Sequence, residues 1–458
     1  MLSDDRKARP LTRRRFLATS ALAAGAAATT GALLGTDRTA RVEAAQDRAT
    51  TTLQVMYYSG PQELTTDAIQ QFERQNPGVA VRFIAYDPIR LSASLAAGEP
   101  PDFIRTIGAT EMPSLIARGL CANLDSYFAK SRVLHPADLQ PINDVYRYDG
   151  KAQGVGPRYG MAKDWSLDNS LWYNKAVFDR AGVPYPSASQ PLTYDELFSL
   201  AKRLTVRAKG VTQVYGVDMA LDQGHLEQML RQDGQSLFNH DFSEVDFTTP
   251  EARRALTFFV DLAQAHVTPS PLDPNPAGWD YPPFLANRLG MANYGYWFGS
   301  LVNIPGPHGQ PVARSGYAPS PQFGHTRVDA CLTGTGAWIP QASHNKDLAF
   351  TFMEFFLGGA PAVTHARLGT GIPALKSLVP DLPHDTPYQN AAYQAMRSEL
   401  SYFGILHFSP YISNDAMNAS ITKYITPVMQ GKTSLESAAQ DLTRAVNQLL
   451  SLGKDQVS

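Results

Sequence analysis

Between residues 51 and 85 the chain switches between two side-chain periods, and that switch limits its possible folds more than any other feature. Leu53, Val55 and Tyr57 repeat at every second residue, the spacing of a half-buried strand, until Ser59-Gly60-Pro61 breaks the pattern. Thr65 or Thr66 then caps a helix carrying Ala68, Ile69 and Phe72, which stops at Asn76-Pro77-Gly78. Val79, Val81 and Phe83 return to period two. Two strands joined through a single helix lie parallel, with a right-handed crossover. Pro100-Pro101-Asp102-Phe103-Ile104 opens a third strand, and residues 111–118 form a helix closed by Gly119.

The same alternation runs through the rest of the chain. Thr193-Tyr194-Asp195-Glu196 is a capping box, with Leu197, Leu200, Ala201 and Leu204 at i, i+3, i+4 and i+7 behind it. Thr249-Pro250-Glu251 starts a helix with Pro at its first position and a stripe of Ala255, Leu256, Phe259, Val260 and Ala263. Asn345 caps the helix carrying Ala349, Phe350, Met353 and Phe356, and Ser434 starts a last one carrying Leu435, Ala438, Leu442 and Val446. The class implied is α/β with mostly parallel sheets flanked by helices. No repeat with a period of ~20–50 residues is present, which excludes a solenoid.

At 458 residues the chain is long enough for two or three domains, and 43% hydrophobic against 18% charged residues supports real cores. A net charge of −2 without clustered basic residues argues against nucleic-acid binding. At the N-terminus, Thr12-Arg13-Arg14-Arg15-Phe16-Leu17 resembles a twin-arginine export signal, followed by an Ala-rich apolar stretch to Leu34. Val42 and Ala44 fit the small-residue rule for cleavage, so residues 1–44 read as a signal peptide; an uncleaved anchor is the alternative. Cys121 and Cys331 are too few for a disulfide framework, and the sequence does not decide whether they pair. Neither lies where a lipid-accepting cysteine would, which points to a periplasm rather than a tethered surface protein.

Catalytic signatures are missing. There is no G-x-S-x-G elbow, H-E-x-x-H pair, G-x-x-x-x-G-K-[ST] loop or C-x-x-C pair. The ten histidines have no metal-ligand spacing, so no metal and no cofactor is expected. Gly334-x-Gly336 lacks the third glycine of a dinucleotide fingerprint and reads as a close backbone approach to a ligand.

Ordered short motifs across the chain resemble the family-one extracellular solute-binding proteins, the group that contains maltose-binding and many other sugar-binding proteins. Residues 72–79 (FERQNPGV) resemble that family's early helix-to-strand junction, and Pro101-Asp102 its next strand start. The fullest match is residues 171–178 (LWYNKAVF) with Ala181-Gly182-Val183 and residues 191–197 (PLTYDEL). Residues 291–297, 334–340 and 431–450 resemble its glycine-tryptophan element, its Gly-rich return strand and its C-terminal helix.

That resemblance implies a non-catalytic, monomeric, two-lobed protein that closes like a clamp on a small polar solute and delivers it to the permease of an ABC importer. It implies lobe one at 50–164 plus 334–384 and lobe two at 165–333 plus 385–458. Crossings are then expected near 165–170, 330–334 and 380–386.

Aromatic rings stack on the C–H faces of sugars while polar groups bind the hydroxyls. Near the implied cleft the candidate aromatics are Tyr58, Tyr159, Trp165, Tyr296, Trp297 and Trp338, with Tyr411 from the C-terminal segment. Each is weighed against an ordinary core role; Trp172 and Tyr173 read as packing residues. The polar candidates are Ser59, Arg105, Asp164, Asp280 and Asn293, together with the glycines Gly334 and Gly336. Arg105 reads equally as a ligand contact or as one half of an ion pair. A mono- or oligosaccharide is the expected ligand; a polyamine, a phosphorylated polyol or another metabolite is the alternative on the same fold. A secreted carbohydrate-active enzyme is the alternative of a different class.

Overall fold

The computed structural model describes residues 51–57 and 63–457. The export segment and the candidates Tyr58 and Ser59 therefore lie outside the described residues. The chain divides into two compact units. The first comprises the described residues up to Arg105, with Leu120–Ala122 and Trp338–Phe352. The second comprises Thr106–Gly119, Asn123–Ala337 and the chain from Met353 on.

In the first unit, strand β1 (Thr51–Tyr57), helix α1 (Thr66–Gln75) and strand β2 (Val79–Ala85) form the expected crossover, with β1 and β2 parallel over seven residue pairs. Thr65 caps α1 by accepting the Ala68 N–H at 3.2 Å. Helix α2 (Pro88–Ala97), capped by Asp87, leads to strand β3 (Phe103–Ile107), which pairs parallel with β1. Phe72 and Phe103 place their ring edges on Phe352 at centroid separations of 5.0 and 5.1 Å. All three are fully buried, worth about 1.5–3 kcal/mol each.

The second unit begins within β3 and continues into helix α3 (Gly108–Ala117). This helix starts three residues before the expected position, because the Glu111 carboxylate reaches back to the Thr106 hydroxyl and the Ile107 N–H. A hairpin, β4 (Arg147–Tyr148) and β5 (Gln153–Arg158), precedes β6 (Gly160–Ala162), β7 (Asp164–Trp165) and β8 (Leu171–Asn174). Helices α4 (Lys175–Ala181) and α5 (Tyr194–Leu204) follow, the latter with its Thr193–Glu196 capping box formed. Next come β9 (Val206–Ala208), β10 (Val211–Asp218), α6 (Gln223–Gln232), α7 (Pro250–Gln264), α8 (Tyr281–Leu285), β11 (Leu289–Asn293) and β12 (Ser315–Ala318).

These strands form a sheet of order β12-β8-β11-β10-β9. Only β10 and β11 are parallel in it; β8 runs antiparallel to both β11 and β12, and β9 to β10. The mostly parallel arrangement expected throughout is thus corrected here to a mixed sheet. Trp172 on β8 is fully buried, its indole N–H donates to Gly295 O at 3.0 Å, and Tyr173 is buried beside it. Both are packing residues, as expected.

The chain ends with β13 (Asp329–Cys331), β14 (Thr335–Trp338), α9 (Lys346–Gly358), α10 (Ala360–Leu368), β15 (Ile372–Pro373), α11 (Pro387–Glu399), β16 (Phe403–Ile405), α12 (Asn414–Met429) and α13 (Leu435–Val457). β14 lies beside β6, β15 pairs antiparallel with β7, and β13 runs parallel to β16. Cys121 and Cys331 are buried free thiols. Among the described residues no helix is long and apolar enough to cross a membrane.

Candidate functional site

Most of the candidate residues fall in the second unit, around the short segment that joins β7 to β8. Asp164 and Trp165 form β7 itself and are 8% and 4% exposed. The Asp164 carboxylate accepts from the neighbouring Lys163 ammonium and from the Thr335 hydroxyl. The Lys163 side chain is only 1% exposed, so the pair is a buried ion pair rather than a surface contact. A side chain at Gly371 would meet Asp164 Cβ at 2.8 Å, which is why β15 carries glycine just before it packs on β7. Trp165 packs on Phe403 at 4.6 Å, and its buried indole nitrogen has no hydrogen-bond partner among the described residues. A buried donor left open costs free energy unless some acceptor fills it.

The loop after β11 meets this segment. Gly295 sits so close to Ser166 that a Cβ on it would lie 2.2 Å from Ser166 Cβ. The Trp297 N–H donates to Ser166 Oγ at 3.3 Å, and the half-buried Trp297 ring packs on Tyr294 at 5.1 Å. Asn293, the last residue of β11, donates to the carbonyls of Asn169 and Ser170 at 2.7 and 3.2 Å. Tyr296 turns another way: buried, it lines a small hollow with Trp172, Asn303 and Leu368.

Asp280 is 3% exposed and shares hydrogen bonds with the Asp218 carboxyl and the Tyr294 hydroxyl. Burial, then the proximity of Asp280, pushes the Asp218 carboxyl up to about 9, and burial raises Asp280 as well. Two adjacent carboxyls with no ion-pair partner among the described residues cannot both ionise, so at neutral pH the pair holds a proton. The structure thus connects Trp297, Tyr294, Asp280 and Asp218 through adjoining contacts, and Trp165 precedes the Ser166 on which Trp297 is seated. Asp218 was not a sequence candidate. Its position at the carboxyl end of a strand with a parallel neighbour, where open α/β sheets bind ligands, is the signal that could have found it.

Asp168 was likewise not picked out. It accepts from the Leu332 and Thr333 N–H groups at 2.8 and 3.0 Å, from the Thr333 hydroxyl at 2.9 Å and from Cys331 Sγ at 3.4 Å. Burial pushes its carboxyl up to about 6, and these donors pull the other way. Four donors spread over residues 331–333 are a tertiary arrangement that no local spacing announces.

Other candidates sit elsewhere. Gly334, at φ +51°, accepts the Tyr146 hydroxyl at 3.0 Å, and a Cβ on Gly336 would lie 2.1 Å from Met161 O. Both glycines thus serve packing of their own chain. Tyr159 is half-buried, with its N–H bound to Tyr146 O at 2.8 Å. Tyr411 is half-buried, with the Lys454 ammonium over its ring and its carbonyl on Arg118. Within the first unit, Arg105 is 2% exposed and ion-paired to Glu63 at 3.2 Å, and Glu63 also accepts the Tyr57 hydroxyl at 2.6 Å. Of the two readings of Arg105, the ion pair is present. Trp338 is fully buried in the first unit. Among the described residues no group of three or more His, Cys, Asp or Glu could hold a metal ion.

Comparison with known proteins supplies the context. No curated protein matches the chain. An ABC substrate-binding protein of Listeria monocytogenes, solved in complex with cycloalternan, is 23% identical with a TM-score of 0.73, covering 88% of this chain and 99% of its own. A solute-binding protein from Thermotoga lettingae, solved with alpha-D-tagatose, is 21% identical with a TM-score of 0.69, over 88% of this chain and all of its own. The sugar-binding protein MalE of Xanthomonas citri is 20% identical with a TM-score of 0.64, over 88% and 98%. At these identities the likeness establishes the fold. The model of the bacterial extracellular solute-binding proteins matches residues 58–360, well over half of the sequence, and the chain belongs to that non-catalytic family.

Proposed function

We propose that this protein is the exported binding component of an ABC importer and that its solute is a mono- or oligosaccharide. The observation that carries the reading is the meeting of two aromatic elements in the second unit. The buried Trp165 indole, with its open N–H, stands next to a segment on which the Tyr294–Trp297 loop is seated. Rings for the C–H faces and carboxyls for the hydroxyls are what a sugar requires. The ligands with which the structural relatives were solved, cycloalternan and alpha-D-tagatose among them, agree with it.

On this reading Asp164, Trp165, Asp280, Asn293, Tyr296 and Trp297 contribute to the site, with Tyr58, Ser59, Arg105, Tyr159, Gly334, Gly336, Trp338 and Tyr411 as further candidates. Lobes at 50–164 plus 334–384 and 165–333 plus 385–458 close on the ligand, and ligand contact with both stabilises the closed form. The protein acts as a monomer in a periplasm after a twin-arginine signal directs its export. The unneutralised Asp218–Asp280 pair favours a second reading, a ligand that carries an amine.

A thermal-shift screen tests both. A ligand present at about 100 times its Kd stabilises by about 2.7 kcal/mol. Neutral mono- or oligosaccharides that raise the melting temperature support the first reading; a rise confined to amine-bearing compounds supports the second. Silence across a broad sugar panel overturns the sugar reading.

A further inference from the structure

His225, 8% exposed near the N-terminus of α6, brings its two ring nitrogens close to two different oxygens. Nε2 lies 2.7 Å from Oδ1 of Asn293. The Asn293 amide nitrogen is committed to the carbonyls of Asn169 and Ser170, which fixes the side chain with its oxygen toward the ring. An unprotonated Nε2 would set one lone pair against another at that distance, so Nε2 carries a hydrogen. Nδ1 lies 2.9 Å from Asp222 Oδ1, the same oxygen that caps α6 by accepting the His225 N–H, in ion-pair contact but off the line of a hydrogen bond. A carboxylate that close to Nδ1 favours the charged ring, which carries a hydrogen on Nδ1 too. A ring with both hydrogens is an imidazolium.

We infer that His225 is a charged positioning residue: its imidazolium ties Asn293, and through it the 169–170 backbone, to the N-terminus of α6, and losing a proton releases one of the two ties. The neutral ring keeps a single N–H and can serve only one of its acceptors. The segment so held also carries Ser166, on which Trp297 is seated. Protonation of one residue therefore controls how firmly the aromatic loop and the β7–β8 segment are fixed to each other. The inference does not depend on what the protein binds.

The charged groups acting on the ring are Asp222 on its own helix and Asp168 from the β7–β8 segment. Glu227, also on α6, is engaged with Arg231, Ser236 and the Leu237 N–H. From α7 the ring meets Phe259 at 6.4 Å, and from α12 Asn414 and Asn418 bind the adjacent Gln223. Leu332, just after β13, packs on Gly224. Burial opposes the charge on His225, but Asp222 and Asn293 together hold it above the ordinary imidazole range. Burial also opposes the charge on Asp222, and His225 holds that carboxyl below its usual range. Because the folded value is raised, the stability this charge contributes is complete below the unfolded value of about 6.5 and is lost as pH rises through the folded value. Asp168, at about 6, titrates below that window, so the two are separable.

The test is a titration of the full chain by NMR of the histidine rings, from about pH 5 to about pH 9, in the wild type and in Asp222→Asn, with melting curves across the same range for the wild type and His225→Gln. The expected result is a His225 ring with both nitrogens protonated at pH ~6.5, a midpoint above the ordinary imidazole value, and a downward shift of that midpoint in Asp222→Asn. The wild-type melting temperature falls above pH ~6.5 more steeply than that of His225→Gln, whose amide donates to Asn293 but does not titrate. A single neutral tautomer at pH ~6.5, a midpoint at or below ~6.5, or the same melting profile in both proteins overturns the inference. Should His225→Gln fail to fold, the ring midpoints of the wild type and Asp222→Asn decide it.

Discussion

Two carboxyl arrangements border the aromatic elements of the second unit, and they solve the same electrostatic problem in opposite ways. Asp164 is buried against a lysine whose side chain is almost fully enclosed. Asp280, buried, and Asp218, half-buried, lie against each other, with a tyrosine hydroxyl as the third member. The first arrangement is complete: a full positive charge meets the carboxylate, and Thr335 takes another lone pair. The second survives only by keeping a proton. A pair of this kind is the place where a ligand has something to gain, because an arriving hydroxyl or amine can rearrange or replace the proton. Burial alone does not mark a carboxyl for binding. What matters is whether the protein has already neutralised it.

Removing Lys163 should produce the largest effect. Lys163→Met leaves the Asp164 charge buried without a partner, and the loss expected is about 3–5 kcal/mol at neutral pH, read from urea denaturation. A loss below about 1 kcal/mol, the range of exposed pairs, would mean that the first arrangement is solvated after all and that the contrast fails. Gly295→Ala comes next. It drives a methyl group into Ser166 and should cost about 1–3 kcal/mol, with much of the loss restored by combining it with Ser166→Gly. Absence of that rescue would show that the loop is not seated on Ser166.

Asp218→Asn examines the second arrangement directly. The folded value of Asp218 is raised to about 9, so the native state holds a proton that the unfolded chain has given up, and stability falls with rising pH across that interval. One such proton corresponds to a slope of about 1.4 kcal/mol per pH unit, and the asparagine variant should lack it between about pH 5 and pH 8. An unchanged slope would mean that the two carboxyls do not share a proton. The smallest effect is expected at Trp297. Trp297→Leu should weaken sugar binding by about 1 kcal/mol, roughly fivefold, with little change in the melting temperature of the unliganded protein, since the ring is half-exposed. Calorimetry with whichever sugar the thermal screen returns measures it.

The first unit was legible in sequence because its signals are local. The β1–α1–β2 crossover follows from period-two and helical runs of adjacent residues, and Thr65 caps where a threonine before a helix should. The Thr193–Glu196 box and the Thr249-Pro250 start were legible for the same reason. The second sheet was not. Leu171 to Asn174 are all buried, and a strand enclosed on both faces looks the same in sequence whether its neighbours run parallel or antiparallel. Helix α2 was also missed, since between Asp87-Pro88 and Gly98 the residues Ile89, Leu91, Ala93 and Leu95 alternate with polar ones, the spacing of a strand.

The candidate residues divide along the same line. Sequence picked out the aromatics and Asp164 as candidates, because rings and charges among glycines and serines stand out from core strands. It could not separate Arg105 as ligand contact from Arg105 as ion pair, because Glu63 lies 42 residues away. By itself the sequence determined the α/β class, the family resemblance and the positions of its local turns and caps, all of which depend on residues within one or two helical turns of each other. Only the tertiary structure decided which carboxyls are neutralised, which glycines are spacers and that His225 lies between Asp222 and Asn293. Burial and charge pairing depend on contacts between distant segments, and nothing in the spacing of a chain encodes them.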